Sequence, residues 1–266
     1  MAYISPMLTN IVTAVKKASV NLNRDFSEIE RLQNSVKGSL DFTKIAFDKI
    51  EKGLKGELSK VMGQMPIVSV NEKAPKEGLF LSVSGIEGLA NFAHGNPEFA
   101  ISAALMNGAV VLAGVVYNPA RDELFFAEKG KGAFKEGFRS HERLRVSAKS
   151  ELEGALVAVK PTMGDASLSA KIINNTLALC GDVRVSGAVA LDLAYVASGK
   201  LDAVIAPDSM LASIAAGVLL VKEAGGMALD MAQKDTRTEE LLKVLNSGNL
   251  MASSFNLSQK IAKILK

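Results

Sequence analysis

An apolar run, Leu79-Phe80-Leu81-Ser82-Val83, leads into a turn bracketed by Gly85 and Gly88, and Phe92-Ala93-His94-Gly95 follows. The run reads as a buried strand, and the segment from Phe92 as the opening of a short helix. A strand that turns through glycines into a helix points backbone N–H groups at one place, and such a place favours an anion. Spacing alone leaves a second reading open, in which Gly85 and Gly88 serve a tight turn with no ligand.

The rest of the chain gives that turn a large setting. A chain of 266 residues, 48% hydrophobic and 22% charged, buries a sizeable core as one domain or two packed halves. A net charge of +3 is too small to argue for nucleic acid or an anionic membrane. Arg139, His141, Arg143 and Arg145 read as a solvated strand face. Cys180 is the single cysteine, which excludes an intrachain disulfide and suits a reducing compartment. The N-terminal stretch lacks a basic-then-apolar leader pattern, and no apolar run approaches ~18 residues, so a cytoplasmic location without membrane contact is expected.

In chain order, Ser5-Pro6 starts a helix with an apolar face at Leu8, Ile11, Val12 and Val15. A second helix is predicted over 43–62, stopped by Gly63, with 36–42 as a turn or short extended pair. Residues 66–70 read as a strand. Residues 99–105 lead into Asn107-Gly108, a strong hairpin signal, and 109–117 return. Asn118-Pro119 turns the chain into a strand over 123–128. Lys129-Gly130-Lys131-Gly132 has the look of a phosphate loop. No Lys-Ser/Thr closes it, and Lys135 stands where a dinucleotide fingerprint needs glycine, so it reads as a hairpin connection.

From about residue 150 strands and helices alternate: strands at 155–159, 183–185, 201–205 and 227–229, and helices at 167–179, 191–197 and 212–224. Such alternation suggests an α/β half with helices covering a sheet. An amphipathic helix over 257–265 ends the chain. The predicted organisation is an α+β half over 1–149 and an α/β half over 150–266, packed as one unit.

Ser84-Gly85-Ile86-Glu87-Gly88-Leu89-Ala90-Asn91-Phe92 resembles the Asp-Pro-Ile-Asp-Gly-Thr-Thr-Asn-Phe motif of the inositol monophosphatase family. Arg184 through Gly199 resembles that family's substrate segment, and Ala215-Ala216-Gly217 with Glu223-Ala224-Gly225-Gly226 its C-terminal helix. Gly130 to Phe134 is similar to a structural segment of the same family. The likeness runs from about Lys37 to Gly226 and lies nearest the bacterial extragenic-suppressor, SuhB-type members. It implies a five-layer αβαβα sandwich with the site at the junction of the halves, a homodimer, and a Mg²⁺-dependent phosphatase of small monoesters. Lys37 and Asp48 match the family's early Lys and Asp, and the likeness implies roles: Asp48 in orienting water; Glu72 and Glu87 as metal ligands; and Gly88, Leu89, Ala90, Gly187 and Ala188 around phosphate and substrate.

The departures fall on those functional positions. Ser84 and Ser213 stand where the family has ligand aspartates, and Leu89 where it has the threonine that orients water. Glu87 lengthens the second aspartate by a methylene. Ala212 replaces a tryptophan, and Ala206 a glutamate that contacts substrate hydroxyls in inositol-preferring members. Asp208 is offered as a stand-in ligand on proximity alone. Hydrolysis by metal ions needs hard oxygen ligands, an activated water and donors for the phosphate oxygens. The expectation is therefore an impaired phosphatase, weak or no Mg²⁺ binding, and a role in binding or regulation. A transcription or ribosome-assembly partner is implied by the resemblance. The alternative is retained hydrolysis of inositol monophosphate or a similar monoester.

Overall fold

A computed structural model describes residues 4–32, 36–70, 72–137, 140–162, 164–233 and 241–265, without the side chains of 30–41. The Lys37 side chain, Asn71 and Arg139 fall outside that description. Helix α1 (Pro6–Leu32) starts as its sequence suggests: the Leu8 amide donates to the Ser5 hydroxyl, which caps the first turn. Helix α2 (Val36–Met62) begins seven residues before the predicted start at 43, so 36–42 is helical rather than extended. No proline interrupts this stretch, and once the apolar face downstream fixes the helix, propagation backwards is easy. Ala46, Ile50, Leu54 and Leu58 form the buried face of α2 against α1 and the first sheet.

That sheet has the order β1 (Ile67–Val68), β2 (Leu79–Glu87), β3 (Ala100–Asn107), β4 (Val110–Asn118), β5 (Glu123–Glu128), β6 (Gly132–Glu136) and β7 (His141–Arg143). Every neighbouring pair is antiparallel except β1 with β2. The hairpin at Asn107-Gly108 and the turn at Asn118-Pro119 fall where the sequence puts them. Strand β2 runs on to Glu87, past the predicted end at Val83, with a register shift between Ser84 and Glu87. Helix α3 (Leu89–Ala93) accordingly opens three residues before Phe92. His141 is only partly solvated, its ring edge-on to Phe126 at 5.0 Å.

The second sheet has the order β11 (Gly226–Asp230), β12 (Leu250–Ser254), β10 (Ala203–Ala206), β8 (Leu156–Val159) and β9 (Asp182–Arg184). Its helices are α4 (Ala166–Cys180), α5 (Val189–Ala197), α6 (Leu211–Glu223), α7 (Leu241–Ser247) and α8 (Phe255–Ile261), the last running into a 3₁₀ turn over Ala262–Leu265. The sequence reading has neither α7 nor β12. Strand β12 is central and antiparallel to both neighbours, yet Leu250-Met251-Ala252-Ser253-Ser254 holds no β-branched or aromatic residue to mark it.

Helix α6 lies between the sheets. It packs on β2 to β6 and on α5, and every residue from Ala212 to Val221 is buried. Small residues allow this close approach: a Cβ at Gly114 would sit 2.9 Å from the Ala216 Cα. The C-terminal end of α6 ties back to the first sheet through the loop that looks like a phosphate cradle. The Gly130 and Gly132 amides donate to the Glu223 carboxylate at 2.8 and 2.9 Å, so the anion in that nest is the protein's own. Glu223→Ala is expected to lower stability by about 2 kcal/mol, since bonds to a charged acceptor are the stronger kind. Urea unfolding measures it; an unchanged midpoint means water replaces the carboxylate at no cost.

Candidate functional site

Pleating decides which side chains of the Gly-bracketed turn meet. Ser84 pairs with Ser102, and Glu87 with Ala100. Because side chains alternate along β3, Ser102 and Ala100 share a face, and so do Ser84 and Glu87 across from them. Ala100 belongs to the core cluster formed with α5 and α6, which fixes this as the α6-facing side. The extra residue between Ser84 and Glu87 is a bulge, which bends the strand end and re-aims Glu87. Ser213, third residue of α6, hydrogen-bonds the Glu87 carboxyl. Ser84, Ser102 and Ser213 are all buried.

Gly88 must be glycine for two reasons. Its φ of 88° lies in the left-handed region, and a Cβ there would sit 2.7 Å from the Glu98 carbonyl oxygen. The missing side chain lets α3 come close to Ala188 at the start of α5. Asn91 then pins the two segments, its Nδ2 donating to the carbonyls of Glu98 at 2.6 Å and Ser186 at 2.7 Å. Gly187 and Ala188 thus stand beside Gly88, whereas Leu89 and Ala90 are exposed. Under the turn, the Gly85 amide donates to Glu51 Oε1 at 2.7 Å, holding α2 to the bulge.

Burial dominates the electrostatics. It pushes the Glu87 carboxyl up to about 7, against the opposing pull of the Ser213 hydrogen bond and the Lys160 ammonium. Glu87 Oε2 is buried and has no hydrogen-bond partner among the described residues, and the same is true of Ser102 Oγ. Lys160, at the end of β8, donates through Nζ to the carbonyls of Pro207 and Asp208, both at 2.9 Å. Burial lowers its pKa, and the Asp208 and Glu87 charges oppose that. Asp192 is buried too; burial raises its carboxyl to about 7, the Ser186 hydroxyl donates to it at 2.6 Å, and the charges of Glu98 and Glu87 raise it further.

Of the other sequence-derived residues, Asp208 adjoins this centre through Lys160, whereas Asp48 and Glu72 stand on exposed surfaces. Asp48 is exposed, because it stands about 200° around α2 from Ala46 and Ile50, which face the core. Phe47, not Asp48, lines an open cavity of 440 Å³ together with Glu51, Lys55 and Glu72. Glu72 is exposed and engaged: Lys55 donates to it at 2.8 Å and the Ser69 amide at 2.8 Å. Asp208 takes a left-handed φ of 51°, and its exposed carboxylate faces Thr162 at 3.5 Å. Lys160 and Glu51 are absent from the sequence reading; only the tertiary fold joins them to the turn, and no local pattern marks them. Asn91 and Asp192 lie inside the two family-like segments, with no role assigned there.

A Mg²⁺ ion takes an octahedron of hard oxygens, with one or two carboxylates among them. Here one carboxyl, pushed up to about 7 by burial, sits among neutral serines with an ammonium in electrostatic reach. Among the described residues no group of three or more His, Cys, Asp or Glu side chains is placed to hold a metal ion. These residues do not fit that ion.

Two sheets with α6 between them, and a strand–bulge–helix turn facing its N-terminus, place the chain in a known class: it belongs to the inositol monophosphatase family, whose sequence model matches residues 4–266. It is 35% identical to a Mesorhizobium japonicum protein named inositol-1-monophosphatase, over 98% of this chain and 97% of that one. It is 32% identical to the Salmonella typhimurium Nus factor SuhB, over 85% of each. The crystal structure of the extragenic suppressor protein suhB from Bartonella henselae superposes with a TM-score of 0.83 at 31% identity, covering 98% of this chain and 99% of that one. Among the described residues no helix is long and apolar enough to cross a membrane.

Proposed function

We propose that this chain has lost the metal-dependent hydrolysis for which its family is named and acts by binding or regulation. The observation that carries this reading is the polar centre of the turn, where one carboxyl with a buried oxygen, three buried serines and a lysine stand in place of several carboxylates. Phosphate-monoester hydrolysis asks for a positioned nucleophile and for charge stabilisation on the attacking and leaving oxygens. Leu89 has no hydroxyl to orient a water, and Asp48 faces outward. Removing one transition-state donor costs on the order of 10²–10³ in rate in other enzymes, and groups that act together do not add simply.

The relatives named Nus factor SuhB support a transcription or ribosome-assembly partner for the same role. A cytoplasmic homodimer, with weak residual affinity for a small phosphate-containing ligand at Gly88, Leu89, Ala90, Gly187 and Ala188, belongs to this proposal. The relatives named inositol-1-monophosphatase favour a second reading. In it, Asp48, Glu72, Glu87 and Asp208 support Mg²⁺-dependent hydrolysis of inositol monophosphate or a similar monoester.

Calorimetric titration of Mg²⁺, with and without inorganic phosphate, separates the two when paired with a hydrolysis assay on inositol 1-phosphate. The expected result is no saturable Mg²⁺ binding and no Mg²⁺-dependent release of phosphate. Saturable binding that phosphate strengthens, accompanied by turnover, establishes the second reading instead. Ser84→Asp, Leu89→Thr and Ser213→Asp together add two carboxylates beside Glu87. The triple variant is expected to acquire Mg²⁺ binding in the same titration but no turnover, because Asp48 and Glu72 stay on outer surfaces.

A further inference from the structure

A centre that does not suit Mg²⁺ has a cation of its own. Lys160 follows β8, and its amide donates to the Ile205 carbonyl of β10 at 2.9 Å. The side chain therefore leaves the sheet at the C-terminal ends of two parallel strands, the edge at which α/β sheets take their ligands. Its Nζ is held by neutral dipoles, the carbonyls of Pro207 and Asp208, both at 2.9 Å. The charges of Asp208 and Glu87 act on it from further off. Two of its three N–H bonds are used in that seat, and among the described residues the third donates to nothing.

The seat is built from several segments. Asp208 turns through a left-handed φ of 51°, uncommon for a residue with a side chain, and in that conformation its carbonyl accepts from Nζ. The turn before β12 pins the same loop: the Asp208 amide donates to Asn249 Oδ1 at 3.0 Å, and the Ser209 amide to the Gly248 carbonyl at 2.8 Å. A Cβ at Gly248 would lie 2.2 Å from the Ser209 carbonyl oxygen, so the two loops are in close contact. Helix α6 opens directly from this loop, and its N-cap, Met210, supplies no side-chain acceptor. The positive end of that helix and the Lys160 ammonium thus stand beside one short segment.

We propose that the Lys160 ammonium takes the place of a metal ion in this centre and binds the phosphate group of a small molecule directly. This rests on the reading above, in which the chain holds a phosphate-containing ligand without hydrolysing it. An ammonium donates charge-assisted hydrogen bonds to phosphate oxygens. Being tethered, it is present whatever the concentration of free Mg²⁺, and it repels a divalent ion that approaches the same place. The serines at 84, 102 and 213 leave the anion few carboxylates to contend with. The Asp208 carboxylate does oppose it, but that group is exposed and screened, whereas Lys160 is half-buried, where a charge acts more strongly.

Calorimetric titration of inorganic phosphate into the full chain in EDTA provides the test. Saturable binding is expected, with the same affinity when Mg²⁺ replaces EDTA. Lys160→Gln, whose amide can still donate to one of the two carbonyls, should weaken phosphate at least about tenfold, and Lys160→Arg, which keeps the charge, should recover most of that loss. Thermal melts check that both variants fold. A readout without substitution accompanies them: phosphate should slow acetylation of Lys160 in the unmodified protein relative to its other lysines, as followed by mass spectrometry. Four results overturn the proposal: no saturable binding in EDTA, binding that appears only with Mg²⁺, equal binding by Lys160→Gln, or acetylation of Lys160 unmoved by phosphate. Equal binding by Lys160→Gln would assign the anion to the backbone turn at Gly88 alone. The two proposals fail separately. Mg²⁺-dependent turnover of inositol 1-phosphate refutes the loss of hydrolysis whatever Lys160 does, whereas a chain that neither turns over nor binds phosphate in EDTA refutes only the role of Lys160.

Discussion

Glu87→Gln raises the stability of this protein at pH 8 and leaves it nearly unchanged near pH 4.5. That outcome follows from the sign of the shift at Glu87, whose carboxyl rises from its ordinary value of 4.5 to about 7 on burial. Between these values the folded chain binds a proton that the unfolded chain has released, so stability falls as pH rises through the window and stays low above it. A shift of this size corresponds to a penalty on the order of 3 kcal/mol at pH 8, or roughly 6–10 °C in Tm for a chain of this length. Glutamine keeps the shape and an acceptor for Ser213 but carries no charge to bury. Thermal melts of both proteins from pH 4.5 to 8 read the effect directly.

Asp192 shifts in the same direction, to about 7, so the substituted protein should retain part of the slope. Glu123 works the other way at lower pH. Burial raises its pKa, but hydrogen bonds from Lys135, Lys200 and Tyr195 overcome that and bring it to about 2. Its contribution is present above pH 4.5 and is lost as pH falls toward 2. If Glu87→Gln is instead less stable at pH 8, the charged carboxylate is favoured where it sits, and the Lys160 ammonium or a bound cation is its partner.

Gly217→Val should be the most damaging single change on α6. A Cβ at Gly217 would lie 2.5 Å from the Leu193 Cβ and 2.6 Å from its Cδ1. Real carbon atoms do not approach so closely, and α6 has no room to retreat because Ala216 already touches Gly114 on its other side. Overpacking costs about 1–3 kcal/mol, and more where both walls are rigid. Alanine at 217 recovers up to about 1 kcal/mol of helix propensity, so Gly217→Ala should be the milder variant and Gly217→Val the one that fails to fold stably. Truncating the neighbour provides the check. In a urea-unfolding double-mutant cycle, Leu193→Ala, which removes the Cδ1 contact but keeps the Cβ, combined with Gly217→Ala should lose somewhat less than the two single changes do separately. Simple additivity would mean that the α5–α6 crossing relaxes and that the helices are not held in register by this glycine.

Legibility from the sequence follows the range of the interaction involved. The meander was readable because Asn107-Gly108 and Asn118-Pro119 impose turns by local backbone chemistry. Helix α4 was readable over 167–179 because its apolar spacing is local too, while its caps, Asp165 and Gly181, emerge only in the structure. The start of α2 was not, since helix propagation overrode the breaking tendency of Gly38. Strand β12 stayed hidden because its burial between β10 and β11 comes from the partners it meets, not from its own propensity. At the turn, the family pattern brought out Ser84, Glu87, Gly88 and Ser213. Asn91 came with that pattern, whereas Lys160 acts through backbone carbonyls on a segment distant in sequence. Side chains of that kind carry no local signature, because the carbonyl they find depends only on how the chain is folded.

The position of β12 also bears on how the chain is made. Strands β8 to β11 leave the ribosome well before residues 250–254, yet β11 joins the sheet only through β12, which lies between it and β10. Until then the nascent second sheet has a missing rung and two open edges, whereas the seven-stranded sheet can pair as it emerges, each strand with the one just made. The late arrival of one short, unassuming strand thus defines an interval in which the chain is open to mispairing and to the attention of chaperones.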